Sequence, residues 1–196
     1  MSILKRLNVP VFKAGGFPDI NKDNYKLHVR GLAEKPLVYS LRNIKEMPFS
    51  SVSSRLLSVS GWSVRAVWEG VLWRDFIRLV NLLPQANHAT FISVDGGYDT
   101  TISLDDLDHP RVMLVYRVEG EPLEPEYGGP LRMVVPNLYG YKSAKWLGTI
   151  EFCDSMRGGF WEDRGYTRSG IIEKGYTMDI NTAKRVQIKG GEVIDF

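Results

Sequence analysis

The stretch that most constrains this chain is Gly128 to Trp146, GGPLRMVVPNLYGYKSAKW. Gly128 and Gly129 permit backbone conformations closed to other residues, and Pro130 fixes its own φ before the apolar run Leu131 to Pro136 begins. Met133, Val134 and Val135 suit a strand. Pro136 lacks the donor that a sheet ladder needs and ends it, so Asn137 to Tyr141 loops back. Lys142 and Lys145 follow within one short segment and, with Arg132 on the incoming strand, set three positive charges around one loop. Such a cluster suits a phosphate or pyrophosphate group. Spacing alone leaves a second reading open, a β-hairpin whose lysines are simply solvated.

A chain of 196 residues can bury a proper core, and one domain spanning residues 1–196 is expected. No apolar run approaches membrane-spanning length, which argues against a membrane partner. Lys5 and Arg6 near the start are not followed by a long apolar segment, so a secretory signal is not expected. The single cysteine, Cys153, has no internal partner, in keeping with a reducing compartment, and a cytoplasmic protein is expected. A net charge of +2 gives no electrostatic case for nucleic acid.

Punctuation by Gly and Pro sets the element pattern. Residues 10 to 36 carry too many of both for a long helix, leaving an irregular segment and a short strand over Tyr25 to Arg30. Ser40 caps a short helix in LRNIKEM that Pro48 closes, with Leu41, Ile44 and Met47 on one face. Val52 to Val59 reads as a strand ended by Gly61, Trp62 and Ser63. Apolar residues at 72, 76, 79, 80 and 83 predict a helix over Leu72 to Leu83, closed by Pro84. Ala89 to Val94 and Tyr98 to Leu104 flank Asp95-Gly96-Gly97, a hairpin signal. Arg111 to Val118 and Leu147 to Phe152 are further strands, joined through the proline-containing link Glu121 to Tyr127 and the opening stretch. Beyond them the glycines from 158 to 170 predict irregular chain, with a weak hairpin signal around Gly190 and Gly191. Many short strands and few helices make this a mixed, mainly antiparallel α+β domain.

Side-chain chemistry narrows little on its own. His28, His88 and His109 lie far apart without partners at metal-ligand spacing, which argues against a zinc site. Nothing matches a nucleophile elbow or a P-loop. Asp105, Asp106 and Asp108 read as a solvated helix start, and the five tryptophans as large core and rim side chains.

Four segments carry a resemblance that goes further: SVSGWS (58 to 63), WEGVLWRDFI (68 to 77), EPLEPEYGGPLRMVVPNLYGYKSAKWLGTIEF (121 to 152) and GFWEDRGY (159 to 166). Together they resemble the oxidoreductase molybdopterin-binding domain, the catalytic domain type of sulfite oxidases and of bacterial protein-methionine-sulfoxide reductases. The resemblance runs from about Phe12 to about Tyr166 and is nearest to short, stand-alone bacterial and archaeal members. It implies an α+β fold with mixed, mainly antiparallel sheets and a barrel-like core. It also implies a molybdenum ion held by the dithiolene of one molybdopterin, and oxygen-atom transfer as the activity. A small-molecule substrate goes with that activity and, since no C-x-x-C-H haem motif is present, a separate electron-transfer protein.

The resemblance also implies site residues. Arg132 matches the arginine that binds the pterin, Ser143, Ala144 and Lys145 match the loop that wraps it, and Ser93 aligns with a polar cofactor contact. Tyr127 stands where relatives often have histidine or asparagine, and Phe12 and Lys13 stand where relatives also touch the cofactor. The chain departs from the family pattern at Ser58, which takes the place of the cysteine whose thiolate binds molybdenum, and is the implied metal ligand and catalytic position. Leu57 replaces a histidine common in the short relatives. Two readings follow: a molybdopterin-dependent oxidoreductase with a serine ligand, or a protein that binds molybdopterin without turnover.

Overall fold

In the computed structural model, which describes residues 1–12 and 17–194, two sheets divide the strands. The chain forms, in order, α1 (Ile3–Arg6), β1 (Lys26–Gly31), β2 (Leu37–Ser40), α2 (Leu41–Lys45), β3 (Ser50–Leu57), β4 (Trp62–Leu72), α3 (Trp73–Ile77), β5 (His88–Ser93), β6 (Asp99–Ser103), α4 (Leu104–Leu107), β7 (Met113–Val118), β8 (Glu121–Pro122), β9 (Arg132–Val134), β10 (Leu147–Cys153), β11 (Gly175–Asp179) and β12 (Lys184–Ile188). One sheet has the order β2-β1-β10-β5-β6. The other runs β12-β11-β4-β7-β8, with β3 also on β4 and β9 also on β7. Pairing is antiparallel except for β1 on β10 and β11 on β4, so the mixed, mainly antiparallel α+β reading holds. Neither sheet closes on itself among the described residues, and the barrel-like core is corrected to two open sheets.

Local sequence explains the accurate elements. Ser40 caps α2 through a reciprocal pair: its Oγ accepts from the Asn43 N–H at 3.1 Å and its N–H donates to Asn43 Oδ1 at 3.0 Å. Ser103 caps α4 from one side, its Oγ accepting from the Asp106 N–H at 3.1 Å, so the Asp105–Asp108 cluster is a helix start. Asp95-Gly96-Gly97 turns β5 into β6 with His88 opposite Ser103.

Elsewhere packing overrides pattern. Residues 62–72, read as a turn and connection, form the longest strand, β4, which pairs with β3, β7 and β11. Its Trp68 is fully buried and donates from Nε1 to the Ser54 carbonyl at 3.1 Å. The helix expected over 72–83 shrinks to α3. Leu72 belongs to β4 and packs in the smaller of two cores, Phe76 and Val80 pack in the larger, and Leu79 is half exposed. The C-terminal hairpin is β11–β12, turning before Lys184 rather than around Gly190 and Gly191.

The larger core joins the two sheets, since Leu27, Phe91 and Ile150 of the first pack with Val71, Leu114 and Met133 of the second, and a smaller core is built on β3, β4 and β7 of the second. Trp73, Phe76, Phe91 and Phe152 centre the larger, and Trp68, Met113 and Val115 the smaller. Each fully buried large side chain contributes roughly 1.5–3 kcal/mol over its exposed state. The Gly128–Trp146 stretch crosses between the two sheets. β9 pairs with β7 in the second sheet while β10 lies central in the first, so the flanks of the basic loop are not a hairpin. They touch nonetheless: the Met133 N–H donates to the Ala144 carbonyl at 2.8 Å, and the Leu147 N–H to the Leu131 carbonyl at 2.9 Å.

Candidate functional site

A cavity of about 270 Å³ opens where the β3–β4 turn, the β5–β6 hairpin and the loop between β9 and β10 meet. Ser58 begins the first of these. Its N–H donates to the Trp62 carbonyl at 2.8 Å, and its Oγ accepts from the Ser60 N–H at 3.1 Å. A Cβ on Gly140 would lie 3.4 Å from the Leu57 carbonyl oxygen, so the Ser58 turn and the basic loop lie side by side.

Arg132 projects from β9 into the cavity wall and is nearly fully buried. Its guanidinium is held by three backbone carbonyls: Nε donates to Met133 at 3.1 Å, Nη1 to Tyr127 at 2.8 Å and Nη2 to Ser143 at 3.2 Å. Burial pushes it down to about 10, so it stays charged at neutral pH. Lys145 donates to the Phe12 carbonyl, and its Nζ lies 4.4 Å from the centre of the Trp146 ring. Burial, and then the charge of Arg132, push Lys145 down to about 7. Neither cation pairs with a carboxylate among the described residues; Asp95, a carboxylate that lines the same cavity, accepts instead from the Ser93 hydroxyl and the Gly97 N–H.

Backbone geometry fixes this loop. Gly128 has φ +105°, and a Cβ there would lie 2.8 Å from Lys145 Cβ, so any side chain would displace the lysine. Trp146 also has positive φ, +50°, which costs a non-glycine residue on the order of 1–3 kcal/mol. Its N–H donates to the Gly128 carbonyl at 3.1 Å and its Nε1 to Pro125 at 2.6 Å, which offsets that strain and locks the residue beside Lys145.

The other expected site residues divide. Ser143 Oγ accepts from the Val135 N–H at 2.9 Å and lines the cavity. Phe12 lines it as well, its ring 4.7 Å from that of Trp161, while Lys13 lies outside the described residues. Ser93 and Tyr127 reach the cavity with their hydroxyls already engaged. Ser93 donates to Asp95 Oδ1 at 2.5 Å and accepts from the Tyr98 N–H, and Tyr127 donates to the Leu4 carbonyl at 3.0 Å. Ala144 sits in the core behind the loop and offers its carbonyl to Met133.

Lys142 is a correction to the three-cation reading. Its side chain runs away from the cavity into the interior, where Nζ, fully buried, meets Glu162 Oε1 at 2.5 Å and the Thr101 carbonyl at 2.9 Å. Burial lowers its pKa, opposed by Glu162. Removing one member of such a pair costs about 3–5 kcal/mol. Cys153 is likewise buried in β10, with Sγ 3.4 Å from the Ser155 carbonyl, and does not line the cavity.

Sequence reasoning assigned no role to the aromatic wall. Trp161 stacks on Tyr166 at 4.8 Å and 12°, and Tyr166 meets Tyr141 edge-on at 5.2 Å. All three line the cavity. The signal was the aromatic spacing in GFWEDRGY, a segment used for the resemblance, with its Trp161 read as core or rim.

The donor set fits one end of a molybdopterin better than the other. Arg132, Lys145 and the Ser143 hydroxyl suit a phosphate. At Ser58, the metal ligand expected from the resemblance, the side chain offers a hydroxyl that already accepts a backbone hydrogen bond, a harder donor than a thiolate.

Known proteins resemble this chain at the level of family and fold. The family model described as "Oxidoreductase molybdopterin binding domain" matches residues 14–161. Over 165 residues the chain is 37% identical to the uncharacterized oxidoreductase YuiH of Bacillus subtilis (strain 168), covering 82% of each. It is 29% identical over 169 residues to the protein-methionine-sulfoxide reductase catalytic subunit MsrP of Campylobacter jejuni, covering 78% of this chain and 57% of that protein. Among solved structures, the sulfane dehydrogenase SoxCD of Paracoccus pantotrophus superposes with a TM-score of 0.69 over 90% of this chain and 47% of that one, at 18% identity, which speaks to fold alone.

The lowered Lys145 pKa gives a pH signature. An anion favours the charged amine, so binding raises that pKa and takes up a proton above pH 7. Sulfate, whose charge is constant in this range, should bind the cofactor-free protein with an affinity that falls by up to about tenfold per pH unit above 7. In Lys145→Arg the fall should vanish. Calorimetric titration across pH 6 to 9 in ~50 mM salt, low enough to limit screening, checks both.

Proposed function

The chain belongs to the oxidoreductase molybdopterin-binding domain family, and from that premise we propose that its cavity holds molybdopterin with molybdenum and serves oxygen-atom transfer to or from a small sulfur compound. The observation that carries this reading is the pair Arg132 and Lys145, two desolvated cations in one cavity without a carboxylate between them among the described residues. A terminal phosphate supplies the missing charge.

Each residue then has a defined task. Arg132, fixed by three carbonyls, is a rigid fork for the phosphate, and Lys145 adds a charge that becomes permanent once the anion is in place. Ser143 offers its hydroxyl to the same anion. Trp161, Tyr166 and Tyr141 line the cavity with rings, exclude water and present faces suited to an uncharged thioether or sulfoxide. Ser58, beside the loop, stands where the metal is expected. Bound there, molybdenum supplies two-electron oxygen-atom exchange with water as the other oxygen partner, and a separate electron-transfer protein takes or returns the electrons.

One observation favours a second reading. Ser58 Oγ accepts the Ser60 N–H, which stabilises the turn but leaves a hard, weakly acidic donor at the metal position. A protein that binds molybdopterin without turnover fits that arrangement.

Two variants test these readings. Arg132→Ala with Lys145→Ala should lower the pterin that copurifies with the protein by at least about tenfold, since two charge-assisted contacts are lost. Unchanged retention, read by fluorescence of extracted pterin, would contradict the cofactor reading. Ser58→Cys should raise the oxidation rate of sulfite or the reduction rate of methionine sulfoxide, each followed with an artificial electron carrier. No gain at equal pterin content means that this position does not limit turnover.

A further inference from the structure

We propose that the buried pair Lys142–Glu162 is a positioning device that couples occupancy of the basic loop to closure of the aromatic wall. It rests on the reading that the cofactor's anionic end sits at Arg132 and Lys145. Lys142 lies one residue from Ser143 and three from Lys145 in the loop, and Glu162 directly follows Trp161 in the wall. Their contact, 2.5 Å between Nζ and Oε1, joins the two segments at full burial.

The surroundings are shaped for this contact. Gly170, at φ +69°, would carry a Cβ only 2.6 Å from Lys142 Cγ, so its missing side chain is the channel through which the lysine stem passes. Thr100 donates its hydroxyl to Glu162 Oε1 at 2.6 Å, and the Phe160 N–H donates to the Asp99 carbonyl at 2.9 Å, which seats the wall on β6. On the loop side the Lys142 N–H donates to the Tyr139 carbonyl and the Ser143 N–H to Gly140, so a shift of Lys142 carries Ser143 with it.

Stability is a poor explanation for the pair. Glu162 Oε2 is buried without a hydrogen-bond partner among the described residues, and apolar side chains of equal volume generally serve as well as a buried ion pair or better. A directional contact between the loop and the wall does what apolar packing does not: it fixes where Trp161 stands relative to Ser143. Neighbouring ties, from the Tyr139 N–H to the Gly170 carbonyl and from the Tyr141 hydroxyl to the Thr167 carbonyl, join the loop to the outer end of the wall, and this pair joins it to the Trp161 end, which the Phe160 N–H also fastens to β6.

Hydrogen exchange measured by mass spectrometry on holoprotein, and on protein from a host unable to make molybdopterin, tests the coupling. In the wild type, loading should slow exchange by about tenfold in peptides covering both 140–146 and 159–166. In the double variant Lys142→Met, Glu162→Gln, which removes both charges and keeps the Thr100 hydrogen bond, loading should protect 140–146 and leave 159–166 unchanged. Should that variant fail to fold, Lys142→Met alone, which removes the contact and leaves Glu162 bonded to Thr100, carries the same comparison. Equal protection of 159–166 in variant and wild type overturns the proposal. Absence of protection at 140–146 in the wild type overturns the cofactor placement, and the coupling with it, through a different peptide.

Discussion

A buried guanidinium with no counter-carboxylate among the described residues is the constraint around which the rest of this molecule is arranged. Arg132 meets three carbonyl dipoles, from Tyr127, Met133 and Ser143, that come from both sides of one loop. Those carbonyls orient it and stabilise its charge in part, but they cannot neutralise it. Lys145, a few residues on, feels that residual charge and holds its proton only to about pH 7. A site built this way is preorganised for an anion, because the cost of burying the cations is met in folding and recovered when the anion arrives.

Fold and site meet in the Gly128–Trp146 stretch. Because β9 belongs to one sheet and β10 to the other, the basic loop spans the junction of the two sheets. Residues from the β3–β4 turn and the β5–β6 hairpin converge on the same cavity. The strained backbone at Trp146 and the close approach of Gly128 to Lys145 are tolerated because this junction is rigid on both sides.

The sequence made the local features legible. The Ser40 cap, the Asp95-Gly96-Gly97 turn, and the strand ended by Pro136 each follow from residues within a few positions. Residues 62–72 were missed because Gly61 to Ser63 reads as a turn and the alternation after it is blurred by burial on both faces. The helix over 72–83 was overextended because its apolar stripe serves two different cores, with Leu72 in one and Phe76 and Val80 in the other. At the site, charge identity was readable and direction was not. Lys142 and Lys145 are equivalent by spacing, yet one faces the cavity and the other is paired with Glu162, a partner 20 residues away in sequence. The aromatic wall was hidden for the same reason, since Trp161 and Tyr166 are joined to Tyr141 only by the tertiary fold.

Ser58 is where local chemistry and family pattern part. The cavity keeps groups that suit a phosphate and presents a hydroxyl where the resemblance leads one to expect sulfur, so pterin and metal are measured separately. The most direct measurement is molybdenum by elemental mass spectrometry, with pterin assayed on the same sample, purified from a host that makes the cofactor. The account predicts pterin and molybdenum together at about one each per chain, the stoichiometry of a single filled site. Purified, folded protein carrying neither would contradict it.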